Sequence, residues 1–227
     1  MTIDGVNLPE WKIRRVKYNV SDAGTIAEMQ RLCGRYIKIN EIIGNRQLHL
    51  TFEYRCEDVN CFWEEYGALN RQLSNSTIRL NGMAYDCCLT GVNEPTQVER
   101  TYYQLSYYFS ILRRYKEEKT EQWNGNMKKM NNVGTMETPC TLSVLPASVL
   151  AKLTVTGLSE KPIIINHLEA GKEIVIDGEM GKVTCEGANK FGDYDAWEFP
   201  RLLPGENTVT LDSDICQVAI TYKPLYL

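Results

Sequence analysis

Four carboxylates crowd one stretch near the C-terminus: Glu186, Asp193, Asp195 and Glu198, within EGANKFGDYDAWEF. A carboxylate pair can hydrolyse a glycosidic bond, one group giving a proton while the other attacks or activates water. Several oxygens at short spacing can also hold calcium. The same stretch is rich in Asn, Gly and Asp, which favour turns, so it reads first as a solvated loop. The two histidines, His49 and His167, lie in strand patterns in different halves of the chain. His49 falls on the polar side of its strand, where neither a ligand nor a base is expected.

Eight cysteines stand at 33, 56, 61, 87, 88, 140, 185 and 216. Cys56 and Cys61 are spaced C-x4-C, no C-x-x-C pair occurs, and Cys87 and Cys88 are adjacent, so in a strand they point to opposite faces. MTIDGVNLPEW lacks the apolar core of a secretory leader, and no run approaches the ~18 apolar residues of a spanning helix. The cysteines are therefore expected to be reduced, small buried hydrophobes and not a disulfide framework or zinc site. G-x-S-x-G, H-E-x-x-H, a P-loop and G-x-G-x-x-G are all missing. The expectation is a non-enzyme, with no catalytic, cofactor-binding or metal-ligating residue assigned and no cofactor. The net charge of −4 argues against nonspecific duplex binding, which needs a surplus of Lys and Arg on one face. Hydrophobic residues make up 43% of the chain, enough for a packed core.

The elements that would hold these residues are mainly strands. The C-terminal part is organised around residues 172–211. Strands are expected at 140–145, 149–156, 162–168, 172–177, 181–187, 206–211 and 215–222, a spacing that indicates a sandwich or small barrel. Asp177-Gly178 is read as a hairpin turn and Pro204-Gly205 as the turn before the 206–211 strand. Tyr194 and Trp197 share one loop. Trp197, beside Phe199-Pro200, is expected in a core corner in preference to a sugar platform.

In the N-terminal part, residues 11–20 alternate imperfectly as a strand. Residues 21–34 read as a short helix or a projecting loop. Residues 35–43 and 46–54 flank Gly44-Asn45, a hairpin signal, with Leu48, Leu50, Phe52 and Tyr54 on one face. Residues 58–73 form the convincing helix, with Asp58 as its cap. Asn81-Gly82 marks a second hairpin. Residues 97–112 read as one long strand with two aromatic-bearing faces, one for the core and one for the helix or a partner. Residues 113–133 are charged and Asn-rich, the composition of a linker or exposed arm, with Trp123 alone in it.

The order of these features resembles the distal tail proteins of long-tailed phages of Gram-positive hosts, in their short two-domain form. The residues that carry the resemblance are IDGVNLPEW, FWEEYGALNRQLSNSTIRLNG leading into YDCCLTGVNE, and ERTYYQLSYYFSIL. The most specific are IVIDGEMGKVTCEGANKFGDYDAWEFPRLLPGENTVTL and QVAITYKPLY. The resemblance implies a mainly β chain: an N-terminal ring-forming domain, β-sandwich or barrel-like with one α-helix, over 1–135 and a galectin-like β-sandwich over 136–227. It further implies a homo-hexameric ring, single or back to back, at the tail tip of a virion, assembled in the bacterial cytoplasm. The implied partners are the tail tube protein, the tail-associated hub protein and receptor-binding protein, with DNA only in transit and no membrane. A carbohydrate-binding module built on the C-terminal sandwich is the alternative reading.

Overall fold

The computed structural model describes residues 1–21, 25–33, 35–43 and 46–227. The chain divides into two compact units, Met1–Arg114 and Tyr115–Leu227. The division falls earlier than the boundary expected at 135/136, because the segment in between is built into the second unit.

The first unit is built on one large antiparallel sheet with a helix on one face, and carries a two-stranded ribbon besides. Its strands run in the order Val6–Asn7, Thr2–Ile3, Asn75–Leu80, Met83–Val92, Tyr102–Tyr115, Arg46–Arg55, Ile13–Ser21. Alternation explains the core. Leu48, Leu50, Phe52 and Tyr54 face Leu105, Tyr107 and Phe109 across a ladder that pairs Leu50 with Tyr107 and Phe52 with Leu105. The helix Phe62–Gln72 buries Phe62 and Leu69 on this same face. Tyr107 donates its hydroxyl to Asn70 of the helix at 2.7 Å, and Tyr54 donates to Glu65 at 2.8 Å. Core and helix thus share one side of the Tyr102–Tyr115 strand, so the helix does not cover the second aromatic face, which is half-exposed.

Three further expectations are refined. Asp58 caps a 3-10 turn, Val59–Cys61, that leads into the helix; it does not cap the helix itself. The strand expected over 97–112 is two: Thr96–Glu99 folds back on Tyr102–Gln104. The imperfect alternation of 11–20 has a cause in a bulge between Arg14 and Lys17, with Arg15 at φ 52°. The extra residue shifts the phase, so Ile13, Val16 and Val20 all pack on the core.

Residues 21–34 are neither helix nor loop where described. Thr25–Leu32 is a strand paired with Arg35–Ile43. Ser21 faces Gln47 and Thr25 faces Ile43, so this ribbon keeps the register of the sheet pair beside it. The Gly44-Asn45 turn lies outside the described residues. Asn81 and Gly82, at φ 49° and 75°, make the tight turn that joins Leu80 to Met83, as their types predict.

The second unit is a sandwich. One sheet runs Lys119–Asn124, Cys216–Tyr222, Thr138–Pro146, Ile174–Asp177, Lys182–Cys185, Ala188–Asn189. The other runs Met127–Asn132, Gly205–Leu211, Leu150–Thr156, Ile163–Leu168, Tyr194–Asp195. Leu142, Val144, Val218 and Ile220 of the first sheet belong to one core with Leu153, Val155, Ile163, Ile165 and Val209 of the second. The supposed linker is a pair of edge strands, one in each sheet, joined across the sandwich by the short turn at 125–126. Lys119–Asn124 pairs with Cys216–Tyr222, and Met127–Asn132 pairs with Gly205–Leu211. Its polar composition is that of edge strands, where lysines discourage further pairing. Met130 is buried and Trp123 packs against the core.

Candidate assembly and ligand surfaces

Glu186, Asp193, Asp195 and Glu198 do not converge on one site. Asp193 accepts from Lys190 Nζ at 2.9 Å and from His167 Nδ1 at 2.7 Å. The Lys190 hydrogen bond, then that of His167, holds the Asp193 carboxyl below its ordinary range. Glu186 sits in a turn at φ 52°, and Asp195 is exposed on the short Tyr194–Asp195 strand. Glu198 accepts from Arg201 Nη2 at 2.9 Å and from the Glu160 amide at 3.1 Å. No group of three or more His, Cys, Asp or Glu side chains that could hold a metal ion occurs among the described residues. His49 stacks on Tyr108 with ring centroids 4.4 Å apart and planes within 1°. The eight cysteines are free thiols. Burial pushes Cys87 and Cys140 up to about 12, the behaviour of structural rather than nucleophilic thiols.

The first unit offers a broad polar surface. On the sheet face away from the helix lie His49 and Thr51 on one central strand and Gln104, Ser106 and Tyr108 on the next, half-buried or exposed. Thr51 and Ser106 share a hydrogen bond of 3.1 Å. Beside them Glu53 accepts from Arg14 Nε at 2.7 Å and Arg15 Nη1 at 3.0 Å. Arg14 also reaches Glu99 at 2.9 Å and lies 3.3 Å from the centre of the Tyr102 ring. Desolvation raises the Glu53 carboxyl, but the hydrogen bonds from Arg15 and Arg14 outweigh it and hold it below its ordinary range. The strand carrying both arginines, Ile13–Ser21, closes one end of the sheet order.

The second unit offers a different surface around Trp197. Phe199 packs on the core and stacks on Tyr194 at 5.3 Å, and Pro200 is buried. Trp197 itself is 89% exposed, so the core-corner expectation fails for it. The neighbouring rings fill the corner and leave the indole outside. A hollow of ≈ 410 Å³ is lined by Glu137, Pro139, Gly178, Trp197, Glu198 and Arg201, among others. Trp197 and Glu198 stand out in the sequence as near neighbours in one loop; Glu137 and Arg201 do not. Glu137 lies about sixty positions upstream, and only the pairing of Pro139 with Arg201 brings it to the loop.

Comparison with known proteins agrees with the resemblance drawn from the residues. Residues 133–226 match the family model of the siphovirus-type tail component, C-terminal domain. The crystal structure of the Dit protein (gp 19.1) of phage SPP1, described as a paradigm of hub adsorption apparatus in phages that infect Gram-positive hosts, is similar in fold. It shows a TM-score of 0.75 at 12% identity over 99% of this chain and 98% of that one. A chain of the phage P2 baseplate, in its activated conformation with calcium, is similar with a TM-score of 0.53 at 12% identity, over 92% of this chain and 90% of that one. No curated protein sequence matches the chain.

Proposed function

We propose, for a chain whose residues 133–226 belong to the siphovirus-type tail components, that it is a distal tail adaptor whose first unit closes a ring of six copies. The observation that carries this reading is the fold match to SPP1 Dit over nearly the whole length of both chains, with both units included. A ring needs head-to-tail contacts that close by rotation. The first unit has the means for this, since its sheet order ends on Ile13–Ser21 at one side and Val6–Asn7 at the other. Pairing between such edges on neighbouring copies would satisfy their open backbone groups and protect them from aggregation. The ring would join the tail tube protein to the tail-tip hub and anchor receptor-binding protein, in the virion, after assembly in the host cytoplasm. Its role is structural, not catalytic.

Light scattering coupled to size exclusion, with negative-stain images, tests this. The expected species has six times the 26.0 kDa of one chain, or twelve times if two rings stack. A species that stays monomeric at every concentration, and also when mixed with the tail tube protein, refutes it.

A further inference from the structure

We propose that the hollow beside Trp197 is a saccharide site, taking a neutral hexopyranose or N-acetylhexosamine unit of a polysaccharide. The loop that presents the indole is pegged on both sides. Tyr194 donates its hydroxyl to the Glu198 carbonyl at 2.5 Å, and Tyr194 and Phe199 stack at 5.3 Å. The indole between them is thus an outward-facing flat apolar surface on a fixed backbone, not the tip of a loose loop.

The wall beside it is polar and held in place. Arg201 donates from Nε to Glu137 at 2.7 Å and from Nη2 to Glu198 at 2.9 Å, and the Glu160 amide donates to the same Glu198 oxygen at 3.1 Å. One guanidinium is therefore clamped between two carboxylates that line the hollow. A carboxylate offers about four lone-pair sites, so both keep acceptor capacity after pairing with Arg201. A pyranose complements this arrangement. Its C–H face lies flat on an aromatic ring, and its rim hydroxyls both donate and accept. The hollow, ≈ 410 Å³, lies within the ~300–1,000 Å³ of small-ligand sites. Two carboxylates against one guanidinium leave the wall negative, which selects a neutral sugar over a phosphate or an acidic one.

The test uses the full chain in whatever assembly it forms. A glycan array displaying oligomers of glucose, galactose, rhamnose, N-acetylglucosamine and N-acetylgalactosamine is probed, and hits are titrated by tryptophan fluorescence. At least one neutral glycan is expected to bind. Trp197→Ala should weaken it by about tenfold or more, the loss that follows removal of an aromatic anchor, and Trp197→Phe should keep part of the affinity. Trp63→Ala, at an exposed indole of the other unit, should leave binding unchanged. Unchanged melting of the Trp197 variants shows that the fold is intact. Failure of every glycan to bind overturns the proposal, as does equal binding by Trp197→Ala. So does a Trp197→Ala variant that loses receptor-binding protein while no glycan binds. Subunit count is read separately, so failure here leaves the ring reading standing, and the reverse.

Discussion

Gly178 provides the sharpest test of how the second unit is built. A Cβ placed on it would stand 2.2 Å from the Pro200 carbonyl oxygen and 2.6 Å from that of Cys140. Ordinary C···O contacts are ~3.3–3.6 Å, so the intrusion is about 1 Å, and both obstacles are backbone. The same two oxygens hold the corner together: Cys140 N–H donates to Pro200 at 3.0 Å, and Gly178 N–H donates to Cys140 at 3.0 Å. Gly178→Ala must separate three strands at once. Two weakened hydrogen bonds cost ~1 kcal/mol each, and overpacking adds ~1–3 kcal/mol. The lower chain entropy of Ala returns ~0.4–1 kcal/mol. The net destabilisation is therefore about 2–5 kcal/mol, confined to Tyr115–Leu227. At the size of that unit this lowers its melting temperature by about 10–20 °C. Calorimetry of the full chain is the assay, with the transition of the second unit followed apart from the first. Gly192→Ala is the control, because a Cβ there meets nothing within 4 Å. A Gly178→Ala variant that melts within about 2 °C of the natural chain would refute the close-approach reasoning.

Asn207→Ala should destabilise the same unit by about 2–4 kcal/mol. Asn207 accepts from the Leu203 amide at 2.9 Å and donates to the carbonyls of Leu203 and Gly205 at 2.8 and 2.9 Å, so truncation strands part-buried backbone groups; denaturant titration measures it. Acid should weaken both units. Glu53 and Asp193 have carboxyls held below their ordinary values. The stability they add is therefore present above the unfolded carboxylate values of ~3.9–4.3 and is lost as pH falls through the lowered folded values. Melting temperatures scanned downward from neutral pH should fall below that point, and Glu53→Gln should flatten the first unit's slope; an unchanged slope contradicts the Arg14–Glu53–Arg15 account.

Much of this architecture is legible in local pattern, because a half-buried strand must alternate. Leu48 to Tyr54 and the seven strands of the C-terminal half announce themselves this way, and Asn81-Gly82 announces its turn through positive φ. The family resemblance was also carried by the order of residues alone. The two edge strands within 119–132 were hidden, since an edge strand exposes most side chains and its reason for existing is a distant partner: Trp123 faces Val218, and Met130 faces Asn207. Which aromatic fills the corner at 194–200 is a competition for one space, and Tyr194, Phe199 and Pro200 took it. Trp197 is therefore outside for a reason no local pattern contains, and Arg201 reaches Glu137 only because Pro139 pairs with Arg201. Periodicity settles which residues are inward-facing on a strand; only packing settles which strands meet and which large side chain is left over.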